Sequence, residues 1–88
     1  MRTIISPRAE KELKKIAKID QIAVGRKIRS IKLSRCANEE KLSGFKNIFR
    51  IRVGQYRIVY RKTAEEVYIV LISHRKDIYR LVNQLFRR

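Results

Sequence analysis

The stretch NIFRIRVGQYRIVYR, residues 47–61, constrains the fold more than any other part of the chain. Apolar and basic side chains alternate through residues 48–53 and largely again through 56–61, the period of a strand with one buried face. Gly54-Gln55 separates the two runs, and a two-residue connection with Gly first is the pattern of a tight hairpin with a type II′ turn. A turn of that length fixes the pairing. Val53 then faces Tyr56, Arg52 faces Arg57, Ile51 faces Ile58, Arg50 faces Val59, Phe49 faces Tyr60 and Ile48 faces Arg61. One side of the hairpin therefore carries Phe49, Ile51, Val53, Tyr56, Ile58 and Tyr60, a core face. The other carries Arg50, Arg52, Arg57 and Arg61.

That second face is physically costly. Like charges directly opposite on a sheet destabilise it, and Arg52 across from Arg57 is such a pair, with Arg50 one step away. A solvated face is the bland explanation, but such faces normally intersperse acids, and these two strands contain no Asp or Glu. The whole chain repeats the imbalance, with 23 Lys+Arg against 8 Asp+Glu and a formal net charge of +15. Charge of that size points to a polyanionic partner, of which nucleic acid is the commonest. A generically basic globular protein is the plain alternative. The 44% hydrophobic content is too high for a disordered tail, and residues 1–88 make one small domain with a modest core.

Around the hairpin, the remaining elements follow from local pattern. RTII, residues 2–5, suits a short first strand. Ser6-Pro7 is a helix start, since Ser caps and Pro at the first helical position loses no hydrogen bond. Ala9, Leu13, Ile16 and Ala17 line one face of that helix. Asp20 is placed to cap a second helix with the stripe Val24, Ile28 and Ile31. Residues 35–47 read as a loop centred on Ser43-Gly44. After the turn TAEE, residues 63–66, the run VYIVLIS, residues 67–73, is a third meander strand, apolar on both faces and so interior and covered twice. Ile78, Leu81, Val82 and Leu85 mark a C-terminal helix that Asp77 can cap. The fold class is α+β: an N-terminal strand and helical hairpin packed on an antiparallel meander with a C-terminal helix.

Carrying the register across TAEE with Lys62 opposite Val67 puts Arg61 beside Tyr68 and Arg57 beside Ile72. His74 then continues the face of Tyr68, Val70 and Ile72. The segment HRKDIYR, residues 74–80, thereby opens beside the arginines, and a basic patch collects Arg50, Arg52, Arg57, His74 and Arg75, with Tyr79 on the first turn of the last helix.

Several chemistries are excluded. Cys36 is alone, so neither an internal disulfide nor a Cys-pair zinc motif can form. One His and scattered carboxylates give no metal-ligand spacing, and no Gly-rich phosphate loop is present, so no cofactor is expected. The first sixteen residues lack the apolar stretch of a secretory signal, and Glu10 and Glu12 argue against a transit peptide. VYIVLI is too short to cross a bilayer, so the expectation is a cytoplasmic protein with no membrane partner. RNA cleavage remains, because the substrate supplies its own nucleophile, the 2′-hydroxyl. The protein must orient the backbone, stabilise the extra charge on phosphorus and move two protons. Arginine forks suit the charge. A His near neutrality, or a perturbed Tyr or Lys, can move protons. The bland readings stand beside this one: a His at a strand end is often structural, and Tyr79 can simply pack on the sheet.

FKNIFRIRVGQYRIVYR followed by IVLISHRKDIYR resembles the RelE/ParE superfamily of toxin–antitoxin toxins, and the RelE branch in particular. The resemblance covers nearly the whole chain. It implies an mRNA interferase, a metal-independent endoribonuclease that cleaves mRNA in the ribosomal A site and inhibits translation. It also implies a cognate RelB-like antitoxin and a higher-order hetero-oligomeric complex. The family's two basic strand positions fall on Arg50 and Arg52, its hairpin Arg on Arg57, its Arg after the last strand on Arg75 and its C-terminal Tyr on Tyr79. Lys46, Arg61 and Lys76 are expected to add RNA-binding charge. Members often have Lys at the two strand positions; arginines there stay protonated and cannot accept a proton. His74, Tyr79, Lys46 and Lys76 are the candidate acceptors, with His74 slightly favoured. A gyrase-inhibiting toxin of ParE type and a non-catalytic basic RNA- or DNA-binding module are the competing functions. The antitoxin is expected in a groove between the N-terminal helices and the sheet, or in place of the last helix.

Overall fold

The hairpin closes with the expected register. In a computed structural model that describes residues 2–31 and 38–86, strand β3 (Ile48–Val53) pairs antiparallel with β4 (Tyr56–Lys62), from Val53 opposite Tyr56 to Ile48 opposite Arg61. Gly54 has φ +57°, the left-handed conformation that a Gly-first turn requires. The other elements are β1 (Arg2–Ile5), α1 (Pro7–Lys15), α2 (Lys18–Ser30), β2 (Glu39–Lys41), β5 (Glu66–His74) and α3 (Ile78–Phe86). The sheet runs β1-β5-β4-β3-β2, so β5 is an interior strand with β1 parallel on one side and β4 antiparallel on the other.

Two hydrophobic clusters sit on opposite faces. On the first face Ala9, Val24, Ile28 and Ile31 from the α1–α2 region pack on Ile51, Ile58, Tyr60, Val67, Ile69 and Ile72. On the second, Ile78 and Val82 of α3 pack on Ile48, Val59 and Leu71. Each large apolar side chain fully buried this way contributes about 1.5–3 kcal/mol. Helix α3 covers only part of the second face. The uncovered part is where Arg50, Arg52 and Arg57 project.

Three sequence expectations need correction. Asp20 does not cap α2: the helix begins two residues earlier, Ala17 holds the cap position without a side-chain bond, and Asp20 lies in the first turn. The expected loop 35–47 contains the edge strand β2, with Glu39 opposite Ile51, Glu40 opposite Arg50 and Lys41 opposite Phe49; residues 35–37, with Cys36, lie outside the described residues. The third correction concerns β5. Lys62 pairs with Val67 and Arg61 with Tyr68 as expected, but the register shifts between Tyr60–Ile69 and Val59–Leu71. Val70 is the extra residue of a bulge. Beyond it Arg57 opposes Ser73, not Ile72, and His74 opposes Tyr56.

Helix α1 secures that bulge. Ser6 accepts the Ala9 N–H at 3.0 Å as the helix cap, and its hydroxyl donates to the Val70 carbonyl at 2.9 Å. The Ser6 N–H donates to the Ile69 carbonyl at 3.0 Å, one step past the end of β1. A turn later, the Glu12 carboxylate accepts the Ile72 N–H at 2.8 Å. The β1–β5 pairing ends at Ile5 opposite Ile69, and the Val70 carbonyl and Ile72 N–H beyond it find partners on the helix and its cap, as buried polar groups must.

The short strand β2 is fixed from the first face. The Glu39 carboxylate is buried there, accepts from the Tyr60 hydroxyl, and lies 2.8 and 3.0 Å from the Lys62 ammonium. Lys62 is itself buried, with its ammonium 5.0 Å from the centre of the Phe49 ring. Successive residues of a strand point to opposite faces, so anchoring Glu39 inward sends Glu40 to the second face.

Candidate functional site

A cleft opens on the second face beside α3. It is lined by Asn38, Glu40, Arg50, Arg52, Arg57, Arg75, Ile78 and Tyr79. Four arginines reach it from three separate segments. Arg50 and Arg52 come from β3 by alternation, and Arg57 stands opposite Arg52 on β4. Arg75 is placed by its backbone: its N–H donates to the carbonyl of Gln55 in the hairpin turn at 2.8 Å, tying the exit of β5 to the tip of β3–β4. The Asp77 carbonyl accepts the Leu81 N–H at 3.0 Å, starting α3, while its carboxylate lies 3.5 Å from Arg80. This start brings Tyr79 over the site.

Arg50 is the most enclosed of these cations. Its guanidinium lies 3.1 Å from the Glu40 carboxylate and 4.9 Å from the centre of the Tyr79 ring. Burial alone would lower its pKa, but the contacts with Tyr79 and Glu40 outweigh that and raise it. Arg57 shifts the other way. Burial lowers it first, and repulsion from Arg52, Arg50 and Arg75 lowers it further, with Glu40 opposing. The four guanidiniums therefore repel one another across a small space, and an anion placed among them relieves that repulsion.

The expected site residues divide cleanly. Arg50, Arg52, Arg57, Arg75 and Tyr79 come together. His74 does not: the bulge turns it to the first face, where its ring meets Tyr56 edge-on at 5.9 Å and Nδ1 accepts the Lys76 N–H at 3.2 Å. Lys46 and Lys76 are exposed in the segments before β3 and after β5, and neither lines the cleft. Arg61 stands farther along β4, its guanidinium 5.3 Å from the centre of the Tyr68 ring. Two lining residues were missed by sequence reasoning, Asn38 and Glu40. Asn38 has φ +66°, a conformation Asn tolerates better than most residues, and it turns the chain into β2. Among the described residues there is no group of His, Cys, Asp and Glu able to hold a metal ion, and no helix long and apolar enough to cross a membrane.

Residues 3–79 match the family model of the ParE toxin of type II toxin–antitoxin systems. The chain belongs to that family. It is a type II toxin of the RelE/ParE superfamily, and solved structures agree on its fold. The Escherichia coli toxin RelE, as a mutant in the free state, is 22% identical with a TM-score of 0.76, over 97% of this chain and 96% of that one. The RelB–RelE antitoxin–toxin complex from Methanococcus jannaschii contains a chain 24% identical, TM-score 0.69, over 89% of this chain and 96% of that one. The toxin–antitoxin complex RelBE2 from Mycobacterium tuberculosis gives 26% identity and a TM-score of 0.69, over 84% and 96%. No match was found among curated proteins. In this RelE/ParE toxin the cleft lies on the face that the N-terminal helices leave open.

Proposed function

We propose that this toxin is a ribosome-dependent endoribonuclease that cleaves mRNA in the A site through attack of the RNA's own 2′-hydroxyl, so inhibiting translation. The observation that carries the reading is the convergence of Arg50, Arg52, Arg57 and Arg75 with Tyr79 in one cleft. A scissile phosphate seated among the four guanidiniums accepts bidentate hydrogen bonds, and the phosphorane gains most from preorganised positive charge. Tyr79 offers a ring against which a base or sugar can pack. A site of four cations and one carboxylate repels a metal ion, so the charge stabilisation falls to the protein. The wider basic surface, Arg61, Lys46 and Lys76 included, supplies long-range attraction to ribosomal RNA in the cytoplasm.

The experiment is primer extension of mRNA on programmed ribosomes incubated with the toxin. Cuts within the A-site codon are expected, and their absence refutes the reading. The match to a ParE family model favours a second reading, a gyrase inhibitor of the same fold. Loss of supercoiling activity on adding the toxin, with mRNA left intact, decides for it. A cognate antitoxin of RelB type is the expected partner, in a higher-order hetero-oligomer. The space between the N-terminal helices and the sheet is filled by core side chains, Ala9 and Val24 being fully buried. Helix α3, with Leu85 41% exposed, is the better candidate for displacement.

A further inference from the structure

We propose that Glu40 is the general base that activates the 2′-hydroxyl of the RNA. The proposal rests on the nuclease reading above and supplies the proton acceptor that it lacks. The groups lining the cleft leave little choice. Arg50, Arg52, Arg57 and Arg75 are guanidiniums and accept no proton at physiological pH. Asn38 is a neutral amide, Ile78 is apolar, and the Tyr79 ring is engaged by the Arg50 guanidinium, 4.9 Å from its centre. His74 faces the other side of the sheet. Glu40 is the single carboxylate among the lining residues, and it meets Arg50 as an ion pair.

Placement supports the chemistry. Glu40 stands opposite Arg50 in the β2–β3 ladder, and its carboxylate meets that guanidinium at 3.1 Å. Its side chain is 66% exposed while that of Arg50 is 17% exposed, so the carboxylate sits at the rim of the anion site and not at its floor. A phosphate seated among Arg50, Arg52, Arg57 and Arg75 presents its neighbouring 2′-hydroxyl to such a rim. The strand that carries Glu40 is only three residues long, yet its preceding residue is locked by a buried ion pair. Glu39 and Lys62 thereby act as positioning residues for Glu40.

In the step itself the 2′-hydroxyl proton passes to the Glu40 carboxylate as the 2′-oxygen bonds to phosphorus. The bond from phosphorus to the 5′-oxygen breaks, and that oxygen leaves with a proton from solvent. Glu40 then returns its proton to solvent. The products are a 2′,3′-cyclic phosphate and a 5′-hydroxyl end. The charged and titratable groups that face Glu40 are Arg50 and Arg52 of β3, Arg57 of β4, Arg75 at the exit of β5, and Tyr79 of α3.

The test compares wild type, Glu40→Gln and Glu40→Asp in single-turnover cleavage on programmed ribosomes across pH, with binding measured on mRNA carrying a 2′-O-methyl group at the cleaved position. Glu40→Gln is expected to bind as well as wild type and to cleave about 10²–10⁴-fold more slowly. Wild type and Glu40→Asp should lose rate as pH falls, and the residual rate of Glu40→Gln should not. If Glu40 only neutralises Arg50, Glu40→Gln cleaves close to the wild-type rate with the same pH profile, which overturns the proposal and leaves the nuclease reading standing. If wild type itself makes no cuts, the nuclease reading falls and takes the proposal with it.

Discussion

Replacing Glu39 by Ala removes a carboxylate whose side chain is 3% exposed, from beside a Lys62 side chain that is 6% exposed. Two charged contacts, at 2.8 and 3.0 Å, and the acceptor of the Tyr60 hydroxyl disappear together. The Lys62 ammonium stays buried against the Phe49 ring without that counter-charge. Removing one partner of a buried pair costs about 3–5 kcal/mol, because the remaining charge keeps its desolvation penalty. A domain of this size has roughly 4–13 kcal/mol in total, at about 0.05–0.15 kcal/mol per residue. The substitution therefore removes a large share of the stability. The assay is urea denaturation followed by circular dichroism, with Glu39→Leu plus Lys62→Met made in parallel. The double variant takes out both charges and keeps apolar volume, and such exchanges are often neutral or stabilising by about 1–4 kcal/mol. A single variant that loses less than about 1 kcal/mol, or a double variant less stable than the single, refutes the account of this pair.

Arg57→Ala and Arg75→Ala should each abolish growth arrest on induction while leaving a folded protein by circular dichroism; two fully toxic variants would show that the cleft is misassigned. Arg57→Ala should also melt slightly higher than wild type, by the equivalent of about 0.2–1 kcal/mol, since it removes the like-charge pair across β3–β4. Inorganic phosphate should raise the melting temperature of wild type more than that of Arg57→Ala, as a ligand that binds only the folded state must; equal shifts would mean that it binds elsewhere. Glu12→Ala should cost about 1.5–3 kcal/mol, the range for a hydrogen bond to a charged group, and should raise amide exchange at Ile72, whose N–H it accepts at 2.8 Å.

The arginines of the cleft were legible because one local device placed them all. A two-residue turn leaves the hairpin a single register, and alternation then assigns every side chain from Ile48 to Arg61 to a face. Arg75 followed from adjacency to the end of a recognisable strand. Glu40 was not legible for the opposite reason. Three residues are too few to show alternation, and Glu39-Glu40-Lys41 has the composition of a loop. What makes it a strand is a buried carboxylate answering Tyr60 and Lys62, more than twenty residues downstream. The misplacement of His74 has a similar origin. The bulge at Val70 has no mark within VYIVLIS; the groups that satisfy it belong to Ser6 and Glu12, some sixty residues earlier.

Because the two faces of the sheet carry different burdens, tolerance to substitution should oscillate along the chain. In β3 the odd-numbered residues 49, 51 and 53 point to the helices and the even-numbered 50 and 52 to the cleft; in β4 the parity reverses, with 56, 58 and 60 inward and 57 and 61 outward. A scan of all substitutions with two readouts, abundance of folded protein and growth arrest, should give two waves of period two. Along the hairpin they run out of phase. Along β5 the abundance wave should slip by one residue at Val70, where Val70 and Leu71 both join the second cluster, and resume with Ile72 on the first. A single added residue thus acts as a phase shifter, and it alone decides that this strand turns Ser73 rather than His74 to the face that carries Arg57.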